Sequence, residues 1–456
     1  MKVLRQNVAG GNLNNSTVLI APIEANSEPV QSIASIASAF DAKNKGKDID
    51  TQLHEYRKKL YKNKRINQKV LANENEMKRV CKCGNFAIGS FASVYETNDN
   101  KYTFSNVETC SSVWICPSCN LKISAARRDE IKTILTGAHK DDLSFDMITL
   151  TVKHNRNDSF DESYERLRKT FEVAFAHRKY KKIIKQYDIQ GFIKTTEFTY
   201  NDKSGYHPHF HLIFIHDLST IKYEKFAKEL FKIWSYVYNL KYNEKLSIKG
   251  FEYKKDEKIR QLQDLDIDLS IEQLTNYMID DLAIEATAEQ SKTSSYREGK
   301  DYSGVNYWQM LQNADKYKRQ IIEIAIGTKR KCKYTFSRGL KKRYCVEDLT
   351  DEQLANDTSN LKVLQFLLEN SLFREFVRQE KQEIILNLCS YKKDLDSLHT
   401  EIEKLVNKPI EIDYTTMTDD NGVETIVPIF QLSTAPEPDK KVETISLNAY
   451  ANNEFG

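Results

Sequence analysis

Three histidines stand at every second position in His207-Pro208-His209-Phe210-His211, and the text continues Leu212-Ile213-Phe214-Ile215. Side chains alternate faces along a strand, so this pattern predicts His207, His209 and His211 on one side and Phe210, Leu212 and Phe214 in the core on the other. Imidazole is a common ligand for divalent metals. With only nine His in the chain, a row of three is better explained by a shared ion than by three separately satisfied core histidines. Glu197 lies in the preceding strand-like text, KTTEFTY. A hairpin would return it beside the histidines, and its carboxylate biases the site toward a hard or borderline cation. His-rich strands also line other metal-binding barrels, so the row suggests a ligand set and does not name a reaction.

A second constellation is built from sulfur. Cys81-Lys-Cys83-Gly84 precedes Cys110-Ser-Ser-Val-Trp-Ile-Cys116-Pro-Ser-Cys119. The spacing of Cys116 and Cys119 lets two thiolates share a tetrahedral Zn2+, with a second pair drawn from Cys81, Cys83 and Cys110. Free buried cysteines are the competing reading, because cysteine also packs as a small hydrophobe. A redox pair at CPSC lacks the βαβ context that would support it. Such a zinc would be structural, bracing a module that reaches duplex DNA through Lys122, Arg127 and Arg128. Cys332, Cys345 and Cys389 are isolated and expected to be inert.

The elements that must position these residues follow from periodicity. Strands are expected at FDMITLTVKH, IQGFIKTTEFTY and HPHFHLIFI, the last two joined as a hairpin by NDKSGY. Helices are expected at SAARRDEIKTILTGA, at ESYERLRKTFEVAFAHRKYKKII and from about Tyr223 to Leu240. Strands in runs with helices on one side define an α+β fold with an antiparallel sheet. Residues 1–50 read as a flexible leader, 51–124 as a basic helix and zinc module, and 125–345 as the domain carrying the histidines. Residues 346–407 read as a helical subdomain, and 408–456 as an acidic flexible tail with one short strand at VETIVPIF.

The chain of 456 residues has 24 Tyr, 21 Phe and a net charge of +3. That charge says little, because nucleic-acid binding depends on local basic patches. No apolar run is long enough for a bilayer, and the first residues do not follow a secretory pattern. Clustered cysteines in a reducing cytoplasm favour metal over disulfide. No Gly-x-x-x-x-Gly-Lys-[Ser/Thr] loop is present, so no built-in ATP-driven helicase is expected.

HPHFHLIF resembles the HUH signature of rolling-circle Rep proteins, relaxases and related transposases. Met147 to Lys153 resembles the first motif of those Rep families. Tyr334 to Asp357 (YTFSRGLKKRYCVEDLTDEQLAND) is similar to the region after the catalytic domain in plasmid Rep proteins of Gram-positive bacteria. The cysteine text resembles a KCG…TCGSVWxCPVC pattern found in several Rep proteins, which selects Cys83, Cys110, Cys116 and Cys119 and leaves Cys81 spare. The resemblance spans roughly Cys83 to Asp357, in four ordered motifs. It implies single-strand DNA nicking assisted by Mg2+ or Mn2+, with His209 and His211 as the core ligands and Thr149, Thr151 and Lys153 as DNA contacts.

The resemblance also implies a tyrosine nucleophile downstream of the histidine strand, where Tyr277 stands in IEQLTNYMIDDL. Tyr242, Tyr253 and Tyr302 are weaker candidates, and a packed amphipathic tyrosine is the ordinary alternative for Tyr277. Two departures from the family pattern are visible. Asp280 and Asp281 occupy the turn where a Lys is frequent, and Gln273 stands where some members carry a water-activating Glu. Glu272, Asp281 and Glu285 therefore all remain open for that role. The expected activity is origin nicking that leaves a 5′-phosphotyrosine and a free 3′-OH for host polymerase, with a host helicase opening the duplex. The alternatives are an HUH transposase or mobilisation relaxase, and a non-catalytic zinc-dependent nucleic-acid-binding regulator.

Overall fold

The computed structural model describes residues 49–433, apart from 254–303 and short stretches at 99, 219, 249–250, 392–393, 419–421 and 423. In chain order the strands are β1 (Phe91–Thr97), β2 (Tyr102–Ser105), β3 (Ser144–Thr151), β4 (Gly191–Asn201), β5 (Gly205–His216), β6 (Phe251–Tyr253), β7 (Tyr334–Phe336), β8 (Leu361–Glu369), β9 (Ile410–Thr418) and β10 (Glu424–Leu432). The helices used below are α1 (Ile49–Leu71), α2 (Pro117–Lys140), α3 (Phe160–Ala176), α4 (Arg178–Gln186), α5 (Thr220–Tyr242), α6 (Tyr307–Gln312), α7 (Ala314–Gly327), α8 (Asn370–Arg378), α9 (Gln382–Tyr391) and α10 (Leu395–Val406). The described residues fall into two compact units, one of 86–106 with 361–433, the other of 49–85 with 107–360.

The larger unit is built on a sheet of order β6-β3-β5-β4-β7, in which every neighbouring pair is antiparallel. The histidine strand β5 is its centre. Its even-numbered side chains Phe210, Leu212 and Phe214 are fully buried, with Ile148 and Leu150 of β3 beside them. Helices α3, α4 and α5 cover this face through Leu167, Tyr180, Ile183, Phe226, Leu230 and Trp234. On α5 the spacing Phe226, Leu230, Ile233, Trp234 and Val237 keeps one apolar stripe toward the sheet. The N-terminus of α3 is closed by a capping box between Ser159 and Glu162, which satisfies orphan backbone donors reciprocally.

The odd-numbered face is apolar only toward one end. There Met147, Ile193, Ile213 and Ile215 pack on Ile131, Ile134 and Leu135 of α2. Toward the other end it carries Thr149, Thr195, Glu197, His209 and His211, as the cross-strand register dictates. The hairpin that sets this register turns at Asn201–Gly205, where the Asn201 side chain accepts the Lys203 amide at 2.8 Å.

The smaller unit has the strand order β2-β1-β8-β10-β9, with β8 and β10 parallel and the other pairs antiparallel. Its core joins Phe104 to Phe373 and Phe366 to Phe430, each pair in edge-on contact. Two expectations are corrected here. Leu361–Glu369, read as helical, is a strand; a short continuous apolar run satisfies either period, and burial of Phe366, Leu367 and Leu368 in mid-sheet selects the extended form. Within the region after 408, read as a flexible tail, Ile410–Leu432 forms the β9–β10 hairpin, and residues 424–430 of VETIVPIF lie in its nine-residue second strand. The boundary expected at residue 124 falls inside α2. Among the described residues no helix is long and apolar enough to cross a membrane.

Gly205 has φ +80°, and a Cβ added there would lie 2.6 Å from the Asn155 carbonyl oxygen. Gly205→Ala is therefore expected to destabilise the larger unit by about 2 kcal/mol or more, combining left-handed strain with a backbone clash. Urea unfolding followed by tryptophan fluorescence checks this, and a midpoint unchanged from wild type would contradict it.

Candidate metal centres

In the hairpin register Glu197 lies opposite His209, and Thr195 opposite His211; on the other side Thr149 of β3 lies opposite His211 and Thr151 opposite His209. Side chains directly opposite share a face. As a result a Glu197 carboxylate oxygen approaches Nε2 of both His209 and His211, at 3.6 and 3.5 Å. Two donor atoms bound to one ion at about 2.1 Å in tetrahedral geometry lie about 3.4 Å apart, close to these separations. One ligand atom from each of the three residues lies within 4.8 Å of the others.

The surroundings orient the imidazoles. Nδ1 of His211 and the Thr149 hydroxyl are 3.1 Å apart, a contact that turns Nε2 toward Glu197. His211 and Glu197 are buried, whereas His209 is partly open. Two imidazoles and one carboxylate form a donor set suited to a divalent ion that keeps open positions for substrate oxygen. The chemistry of the donors thus fits the ion expected from the sequence.

His207 shares the face but stands outside the close group. Its ring packs edge-on against His154, with centroids 4.5 Å apart, and lies 5.6 Å from the His209 ring. Burial pulls the His207 imidazole down to about 3, with the His209 and His154 rings adding to the effect. Burial likewise lowers His154. Sequence reasoning counted His154 only as the last residue of the expected strand FDMITLTVKH; β3 ends at Thr151, so His154 lies beyond the strand's alternation. Its only signal was position, as the residue that directly follows the first motif.

The second centre joins Cys83, Cys110, Cys116 and Cys119, all buried. Sulfur separations are 3.6 Å for Cys83–Cys116, 3.7 Å for Cys83–Cys119 and 3.7 Å for Cys110–Cys119. Thiolates around one Zn2+ at 2.3 Å would lie about 3.8 Å apart, so the four sulfurs already outline that tetrahedron. Hydrogen bonding from Cys110 first, then from Cys116 and Cys119, holds the Cys83 thiol far below its ordinary range. Bonding to Cys110 is the leading cause of the upward displacement of Cys116. A shared cation would resolve this competition. Cys116 and Cys119 flank Pro117 at the first turn of α2, where the partial positive charge of the helix end also favours thiolates.

Polar side chains lace the sulfur site to its neighbours. Asn67 of α1 donates to the Ile115 carbonyl at 2.8 Å, Tyr307 donates to Asn67 at 2.6 Å, and Gln68 donates to the Cys83 carbonyl at 3.0 Å. Trp114 donates to the Lys331 carbonyl at 2.7 Å and stacks on Phe198 of β4. The sulfur site and the β4–β5 hairpin therefore share one core. Cys81 is directed elsewhere, its sulfur 3.7 Å from the Gln68 carbonyl oxygen.

The positions expected to touch DNA separate. Lys122 is exposed, and Lys153 is about half exposed and 3.6 Å from Glu244. The expectation for Arg127 and Arg128 is corrected, because both are buried. The Arg127 guanidinium is engaged by Glu130 at 2.9 Å, Asp351 at 2.7 Å and the Leu349 carbonyl at 2.9 Å. A run of basic text on α2 says nothing of which turn faces inward; the acids that neutralise Arg127 come partly from a segment over two hundred residues away. Tyr277, Glu272 and Glu285 lie outside the described residues, as do Asp281 and Tyr302.

A family model described as a replication protein matches residues 101–363, more than half of the chain. The chain belongs to this replication protein family. A curated relative, Protein rep from Lentilactobacillus hilgardii, is 25% identical over 101 residues, which cover 22% of this chain and 31% of that protein. The match thus spans less than a third of the relative's length. No solved structure matches the chain.

The geometry predicts that Cys119→Ser removes close to one equivalent of bound zinc per chain and lowers the unfolding temperature by several degrees, since structural zinc contributes folding energy of several kcal/mol or more. Cys81→Ser should change neither. Zinc content by elemental analysis and a thermal melt on the same samples test both arms, and an equal loss in the two variants would be the wrong outcome.

Proposed function

We propose that this protein initiates rolling-circle replication by nicking one strand of an origin, with Tyr277 as the nucleophile. The observation that carries the reading is the Glu197, His209 and His211 group, set on adjacent strands within the stretch matched by the replication protein family. The substrate DNA enters in two forms with separate roles: a double-stranded origin for recognition, and a single-stranded nick site at the histidine face.

A Mg2+ or Mn2+ ion held by these three residues would polarise the scissile phosphate and orient it for in-line attack. The remaining work falls to side chains. Thr149 fixes the orientation of His211, and Glu197 bridges toward both imidazoles. Tyrosine ionises near pH 10 in water, so Tyr277 must pass its proton to a base as its oxygen attacks. The new bond joins the Tyr277 oxygen to phosphorus while the bond from phosphorus to the 3′-oxygen breaks. That oxygen takes up a proton, leaving a 5′-phosphotyrosine and a free 3′-OH that can prime host polymerase. A carboxylate among Glu272, Asp281 and Glu285 would activate the water that ends the reaction. Because the sequence has no phosphate loop, duplex opening falls to a host helicase.

Placement of the chain supports Tyr277. Before it, β6 pairs with β3, with Phe251 opposite Leu150. After it, Val305 bridges to Tyr200 near the hairpin end of β4. Both flanks of the segment are thus tied to the sheet that carries the histidines.

With Mn2+ and a labelled single-stranded origin oligonucleotide, wild type is expected to form a covalent protein–DNA adduct. Tyr277→Phe should form none while binding duplex origin normally. His209→Ala should nick on the order of 100-fold more slowly, as expected for loss of a metal ligand. An adduct at wild-type yield from Tyr277→Phe would place the nucleophile elsewhere, and full nicking without divalent metal would refute the centre.

A further inference from the structure

The helical layer on the far side of the sheet carries a concentrated charge that the metal site does not use. Helix α4 reads RKYKKIIKQ, nine residues with no acid among them. Tyr180 and Ile183 turn into the core against the Phe210 face of the sheet. That anchorage leaves Arg178, Lys179, Lys181, Lys182 and Lys185 all exposed. Among the described residues none of these five has a carboxylate within ion-pairing distance. Lys179 instead lies 5.3 Å over the ring of Tyr236, itself 51% exposed on α5.

Helix α5 extends the charge. Tyr187 donates to Glu229 of α5 at 3.0 Å and packs on Phe226, while Tyr236 packs on His177. These contacts identify the side of α5 that meets α4. At 100° per residue Lys225 and Lys232 flank that side within roughly 60° of Glu229, and both are exposed. The nearby acid Glu229 is occupied by the Tyr187 hydroxyl. Solvated helix faces ordinarily mix signs, since like charges at helical spacing repel. A face on which cations predominate, with an exposed aromatic beside them, has the composition of a polyanion contact.

We propose that the α4–α5 face is a second DNA-binding surface, one that grips duplex phosphates without reading sequence. It rests on the reading that the protein handles origin DNA, and it adds a location: the surface lies on the opposite face of the sheet from His209 and His211. A single strand held at the metal centre therefore leaves this surface open to flanking duplex. Neutralising phosphates releases condensed counterions, so binding here must carry a strong salt dependence.

The test compares the full-length wild type with Lys181→Glu/Lys182→Glu/Lys185→Glu, and with the same three positions changed to Gln, using a 30-base-pair duplex and a short single-stranded origin oligonucleotide. Log affinity for duplex against log salt should flatten by about 0.9 for each phosphate no longer neutralised, up to roughly 3 in either variant, with the Glu variant losing further affinity through repulsion. Cleavage of the short oligonucleotide should stay at the wild-type rate, and all three proteins should melt alike. An unchanged salt slope and duplex affinity in the Glu variant would overturn the surface, whatever its binding of acidic proteins, while leaving the nicking reading intact. Failure of wild type to bind duplex or cleave the oligonucleotide at all would instead remove the reading on which the surface rests.

Discussion

The pairing of β4 with β5 is the constraint on which the candidate centre depends. Strand side chains alternate with a period of two, so a slip of one residue in either strand would carry its ligands to the opposite face. Glu197 would then face α3 and α5, and Phe198 would take its place beside the histidines. Two features hold the register. The fully buried row Phe210, Leu212 and Phe214 admits no polar substitute on the helical side. At the turn, Gly205 lets the hairpin approach the Asn155–Arg156 backbone more closely than any side chain would allow. The hydrophobic core and the ligand geometry are therefore one specification read from two faces of one strand.

The sulfur centre serves the same specification at longer range. Four cysteines from three separated segments meet in the core that receives Phe198 and Tyr206 from the hairpin end of the sheet. A protein of this size can bury enough apolar area without a metal, so the sulfur site is better understood as a local fastening. It ties the Cys83 segment and the Cys110–Cys119 loop to the start of α2, and Trp114 carries that fastening to β4 through its stack on Phe198. A shift at the thiolates would thus reach the strand that holds Glu197.

Much of this was legible in the sequence, for reasons that differ by residue. The histidine row and the Phe210 row were legible because strand alternation is strict and the run is long. The periodicity of 162–184 marked helical text but read as one helix what the structure breaks at His177, whose backbone is extended, into α3 and α4; the Ser159–Glu162 box fixes where α3 starts. The parts that were not legible depend on partners remote in sequence. Arg127 looked like a surface cation until Asp351 and Glu130 closed on it. Leu361–Glu369 carries apolar residues at both helical and strand spacing, and only its neighbours β1 and β10 settle the choice. The insertion of 86–106 into the smaller unit is a long-range pairing with no local sign at all. His207 has the right parity and still stands off, because alternation fixes a face but not a distance along it.

That last point bears on why the ligand group contains three residues and not four. Histidines two residues apart leave the backbone roughly 6.5 to 7 Å apart along the strand; the His209 and His211 rings lean to 4.8 Å, whereas the His207 and His209 rings stay 5.6 Å apart, so the three do not all converge on one small ion. Convergence needs a donor from a neighbouring strand, about 4.8 Å away across the ladder, and Glu197 supplies it midway between His209 and His211. His207 is one step beyond reach of that carboxylate, and it settles against His154. The geometry of the pleat thus selects Glu197, His209 and His211 from a sequence that offers four candidates, with His209 the partly open member of the group.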